Sequence, residues 1–117
     1  MTIRHQPKYT LDMTSIERNA MSKIVNYIID DLRDELSIRT GFSLDEYQDL
    51  LKLLDTDNPL NQVFNKNQLL MLHQALNEVC NGIFIADFES KIGLTVLDAK
   101  KIFVLLGNAI DSNISKD

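Results

Sequence analysis

Apolar residues recur at every fourth position from Ile16 through Ala20, Ile24, Ile28 and Leu32 to Leu36, and Met21, Val25 and Ile29 widen the stripe on one side. This spacing marks one face of a helix, and the width suits a helix buried against two neighbours. Thr14 and Glu17 have the spacing of a reciprocal N-terminal cap, and Gly41 can end the segment in a left-handed conformation. The pattern predicts a long first helix over 15–39, with Lys23, Tyr27, Asp30, Asp31 and Asp34 on its mostly polar side. Ser43 and Glu46 repeat the cap spacing, and Leu44, Tyr47, Leu50, Leu51 and Leu54 predict a second helix over 44–54.

Asp55 to Asn61 reads as a loop with Asn58-Pro59 as its turn signal. Val63 and Phe64 are expected to anchor a short turn on the core. Leu69, Leu72, Leu76, Val79, Cys80 and Ile83 predict a third helix over 66–81, ended by Asn81-Gly82. A short helix over 84–92 ends at Gly93. Thr95 then caps a last helix over 96–111 that carries Val96, Ala99, Ile102, Phe103, Leu106 and Ile110. Residues 1–13, with Pro7, are expected to form an arm packed through Tyr9, Leu11 and Met13, and the polar tail from Ser112 is expected to fray. No stretch of strict alternation is long enough to demand a sheet. The expectation is an all-α, single-domain bundle of about five helices over residues 1–117.

Composition narrows the class without changing that picture. The 117 residues are 44% hydrophobic and 25% charged, with four Gly, two Pro and no Trp; these are globular values with few turn formers. No apolar run approaches the roughly 18 residues of a membrane span. The polar, basic start of the chain lacks the apolar segment of a signal peptide. With Cys80 as its one cysteine the chain has no intrachain disulfide and no thiol pair for a metal. A cytoplasmic protein without membrane association is expected.

Sites for chemistry are scarce. His5 falls in the arm and His73 beside Leu69, Leu72 and Leu76, with no sequence-local second ligand or carboxylate to complete a catalytic or metal set. Cys80 lies on an apolar stripe at a helix C-terminus, where a thiol behaves as a small hydrophobe. Asp55-Thr56-Asp57-Asn58-Pro59 resembles the start of a calcium loop, but the positions that need Gly and Glu hold Leu60 and Lys66. There is no phosphate loop and no nucleophile elbow. No enzyme activity, cofactor or metal is expected.

Residues 88–106 match the apolar spacing of a helix-turn-helix, with Phe88, Ile92, Leu94, Ala99 and Ile102 around a turn at Gly93. A reading helix needs base-contacting side chains among phosphate-binding cations. This one opens with Thr95, Val96, Leu97 and Asp98 and offers only Lys100 and Lys101, with Asp87 and Glu89 nearby. Nucleic acid is therefore not the expected partner, although a helical transcriptional regulator or adaptor using this segment stands as the alternative function.

Charge supplies the remaining signal. The chain is net −5; residues 1–29 are net +2, 30–57 net −6 and the remainder net −1. In and beside the acidic stretch, Tyr27, Asp30, Asp31, Asp34 and Glu35 belong to the first helix, and Asp45, Glu46, Tyr47 and Asp49 to the second. Like charges at these spacings weaken an isolated helix. A partner rich in Lys and Arg relieves the repulsion and is steered to it, with Tyr27 and Tyr47 as aromatic anchors. A solvated, solubilising face is the plain alternative.

In size, acidity, helix pattern and acid-and-tyrosine face, the chain is similar in kind to bacterial immunity proteins, including those paired with contact-dependent growth-inhibition toxins. The resemblance carries no motif. It implies a non-catalytic protein that blocks the active site of a basic cognate toxin, often a nuclease, with its carboxylates in positions meant for phosphates.

Overall fold

The computed structural model describes residues 1–5, 8–55 and 61–115. It is predominantly helical with a small three-stranded sheet, so the fold is not purely α. Strands β1 (Thr2–His5) and β2 (Tyr9–Asp12) form a hairpin, and β3 (Asn61–Phe64) pairs with the other edge of β2; both pairings are antiparallel. Ile3 lies opposite Leu11, and Tyr9 opposite Phe64. The expected arm and the expected turn at Val63 and Phe64 are both strands. Tyr9, Leu11 and Met13 are buried in the core, the alternation of a strand with one face inward. Arg4 and Asp12 close the exposed side, Nε and Nη2 each donating at 3.0 Å to one carboxylate oxygen.

All five expected helical stretches are present, the first of them broken. Helix α1 (Ser15–Leu32) begins with the Thr14–Glu17 reciprocal cap. It stops at Arg33, whose φ is +49°; a tight turn over Arg33–Glu35 leads into α2 (Leu36–Thr40), which Gly41 ends at φ +85°. Leu32 and Leu36 are both buried, so the apolar stripe runs on through the break and hides it. Helix α3 (Leu44–Leu54) carries the Ser43–Glu46 cap. Helix α4 (Lys66–Asn77) opens with a third reciprocal cap, between Asn65 and Gln68, and widens into a π turn over Glu78–Gly82.

The short fourth helix begins later than expected. Ile83–Asp87 is not helical, Asp87 sits at φ +53°, and α5 covers Phe88–Ile92, ended by Gly93 at φ +94°. Helix α6 (Val96–Ser115) starts with the Asp98 amide donating to the Thr95 hydroxyl. It continues through Ser115, beyond the predicted end and into the tail expected to fray. The predicted loop turn at Asn58-Pro59 and the residues compared with a calcium loop beyond Asp55 lie outside the described residues, as does Pro7.

Helix α1 is the central element. Ala20, Met21, Ile24, Val25 and Ile28 are all fully buried, and α3, α4 and α5 pack around it while α6 packs on α4. One core cluster joins the sheet to every helix. Gln62 ties β3 to the end of α3, its Nε2 donating 2.6 Å to the Leu53 carbonyl. Among the described residues no helix is long and apolar enough to cross a membrane.

Candidate functional site

Helices α1 and α3 pack against each other, and their outward sides carry the acidic residues. The C-terminal turns of α1 present Asp30 and Asp31 to solvent, with half-buried Tyr27 beside them, and the three line a shallow hollow of about 240 Å³. The break at Arg33 turns the chain here. Its Nε donates 3.2 Å to the Asp30 carbonyl, in the last turn of α1, so the guanidinium serves the backbone and leaves the Asp30 carboxylate unengaged. Asp34 and Glu35, both exposed, follow in the tight turn.

On α3, Asp45, Glu46 and Asp49 are exposed. Asp45 and Glu46 occupy the first turn, where negative charge complements the helix dipole, and Glu46 also accepts from the Ser43 amide at 3.0 Å. Part of the acidity on α3 thus has a structural purpose. Asp34 and Glu35 on the tight turn form no side-chain cap hydrogen bond. Ion pairs among the described residues join Met1 to Glu17, Arg4 to Asp12 and Arg39 to Glu78. None engages Asp30, Asp31, Asp34, Glu35, Asp45 or Asp49.

Tyr47 departs from the expected site. It is fully buried, on the same side of α3 as Leu50 and Leu54. Its hydroxyl donates 2.9 Å to the Met71 carbonyl on α4, and its ring meets Phe42 edge-on at 6.2 Å. Burial pushes its phenol up to about 12, with the Glu78 and Glu46 carboxylates adding to the rise. Tyr47 is a core residue with a satisfied hydroxyl and is unavailable to a partner. Of the two expected aromatic anchors, only Tyr27 reaches the surface.

His73 stacks on Phe103 of α6, ring centroids 4.3 Å apart and planes within 5°. Burial pushes its imidazole below the ordinary value, against a smaller opposing pull from Asp111. Cys80 lies half-buried in the π turn, and burial raises its thiol, which Lys100 partly offsets. It therefore stays protonated at neutral pH, unlike a nucleophilic thiol. Among the described residues no group of three His, Cys, Asp or Glu is placed to hold a metal ion. In the segment 88–106, α5 is only five residues long and packs on α1, and the Thr95 hydroxyl is taken up by the cap. The exposed surface of α6 carries two lysines, Lys100 and Lys101, beside Leu97 and Val104, together with the acids Asp98 and Asp111.

Two larger hollows lie away from the acidic face. One of about 340 Å³ is lined by Met1, Glu17, Leu94, Asp98, Lys101 and Leu105. There the Met1 ammonium pairs with Glu17 at 2.8 Å. Partial burial opposes ionisation of Glu17, but that ammonium and the Thr14 amide hold its carboxyl below the ordinary value. The other, of about 490 Å³, opens between α4 and α6 beside His73, Phe103, Val104, Gly107, Asn108 and Asp111. Its one sequence signal is Gly107, a residue without a side chain in the interior of a helix.

Comparison with protein-family models, with curated proteins and with solved structures finds no match to this chain.

Proposed function

We propose that this chain is a non-catalytic binding protein whose acidic face on α1, the following turn and α3 neutralises a basic protein partner, in the manner of an immunity protein covering the active site of its toxin. The observation that carries the reading is the clustering of exposed carboxylates at Asp30, Asp31, Asp34 and Glu35, which have no ion-pair partner among the described residues, whereas Asp12, Glu17 and Glu78 are paired. Their mutual repulsion is left in place in the free protein, and a cationic surface removes it. Tyr27, half-buried beside a shallow hollow, supplies an aromatic contact at low entropic cost. Where the partner is a nuclease, the carboxylates occupy its phosphate positions. The cationic content of α6 is too low for phosphate contacts to drive nucleic-acid binding, which favours a protein partner.

The test is untagged co-purification from the native host with mass spectrometry, followed by binding to the recovered protein. The reading expects one basic protein in equimolar amount. The double variant Asp30→Lys and Asp34→Lys should weaken that complex at least tenfold, about 1.4 kcal/mol, with little change in melting temperature because both side chains are exposed. Equal binding by the double variant would sink the assignment to this face.

A further inference from the structure

The outer side of α6 carries apolar groups that nothing among the described residues covers. Leu97 is 64% exposed and Val104 55% exposed, one heptad apart and so on the same stripe, with Lys100 and Lys101 between them. These four side chains line a hollow of about 360 Å³. One turn further on, the same stripe opens into the cleft beside His73 and Phe103. Gly107 lines that cleft and lets the His73 ring approach α6 closely; a Cβ there would lie 3.0 Å from His73 Nε2. Val104 borders both hollows. Before it the stripe offers a protruding leucine and two cations; after it, a cleft and the Asp111 carboxylate.

Such a surface is complementary to itself. A two-fold axis requires each patch to meet its own copy in reversed order. We propose that two copies of this chain pair through antiparallel α6 helices about a two-fold axis near Val104. Residues seven before and seven after the axis then meet, so Leu97 of one copy arrives at the level of Asp111 and enters the cleft of the other. Lys100 arrives at Asn108, one helical turn from Asp111. Lys100 and Asp111 also lie on the same edge of α6, because they are eleven residues apart, close to three full turns of the helix. A two-fold axis perpendicular to the helices and directed toward that edge keeps it on the same side in both copies, which sets each Lys100 beside the other copy's Asp111. Parallel helices would instead place lysine against lysine. The pairing leaves the acidic face of α1 and α3 free and does not rest on the function proposed for it.

Sedimentation equilibrium of the whole protein at up to about 100 μM, far above a micromolar dissociation constant, tests the pairing. Wild type should be dimeric. Val104→Glu, a change at an exposed position, should be monomeric with an unchanged circular dichroism spectrum. Lys100→Glu and Asp111→Lys should each weaken dimerisation about tenfold, and the two together should restore it. A monomeric wild type, or a dimer indifferent to Val104→Glu, overturns the interface and leaves the stripe to another occupant. Failure of the charge swap to restore a dimer that both single variants weaken overturns the antiparallel pairing.

Discussion

Arg39 Nη2 lies 2.5 Å from Glu78 Oε1, and the pair fits because residue 82 is a glycine. Glu78 is buried in the π turn that follows α4, and Arg39 reaches it from α2. A Cβ at Gly82 would stand 2.8 Å from the carboxylate oxygen and 2.9 Å from the guanidinium nitrogen, closer than real contacts allow. The ion pair couples two segments that sequence pattern treats as separate.

Gly82→Ala should therefore destabilise the protein, by at most about 1 kcal/mol because the atoms it meets are the ends of side chains that can shift apart, lowering the melting temperature by roughly 4–8 °C per kcal/mol in a domain near this size. Arg39→Ala, which leaves the buried carboxylate unpaired, should lose about 1–2 kcal/mol once the solvent reaching Arg39 is allowed for. Thermal melts of both variants check this; a Gly82→Ala melt superimposable on wild type contradicts the packing.

The Tyr47 phenol predicts an alkaline transition. Its value in the folded protein, about 12, exceeds the 10.0 of an unperturbed tyrosine, so the folded state retains the proton longer than the unfolded chain. The associated stability is complete below about pH 10 and is lost as pH rises toward 12. Tyr47→Phe loses the hydrogen bond to the Met71 carbonyl, about 1 kcal/mol near neutrality, and should flatten the fall above pH 10. Urea midpoints across that range decide; equal slopes for the two proteins would be the contrary result.

An acid limb follows from His73. Its imidazole titrates below the unperturbed 6.5, chiefly because of burial, so the unfolded chain takes up the proton first. The stability tied to it is complete above pH 6.5 and declines as pH falls below that value. The carboxyls held low by partners, Glu17 and Asp12, contribute only as pH drops through 4.5 and 3.8, so the interval down to about pH 5 isolates the histidine. His73→Phe preserves a ring against Phe103 and should remove the decline over that interval, read from chemical denaturation at each pH.

Arg33 occupies φ +49° and ψ −115°, a region that side chains rarely adopt at a strain of order 1 kcal/mol. Arg33→Gly should raise stability by about 0.5–1 kcal/mol, less the exposed hydrogen bond to the Asp30 carbonyl, while the β-branched Arg33→Val should lower it. Identical melts for the two variants would show that the break carries no strain. The same pair probes the acidic face, since Arg33 sets the angle between Asp30 and Asp34.

The sequence by itself determined the features whose causes are local. The caps at Thr14–Glu17 and Ser43–Glu46 are built from residues three apart, and α3 spans the 44–54 its apolar spacing predicts. The exposure of Asp30, Asp31, Asp34 and Glu35 was equally legible, because an unpaired carboxylate stays in water wherever the chain folds. The tertiary structure alone decided the rest. Tyr9 pairs with Phe64 from the far side of three helices, so neither strand shows itself without its partner. The break at Arg33 leaves the spacing of Leu32 and Leu36 intact, and a stripe cannot report a turn that preserves it. Tyr47 has a ring suited to the core and a hydroxyl suited to water. Only the Met71 carbonyl across the α3–α4 contact, satisfying that hydroxyl in the interior, determined which half of the side chain prevailed.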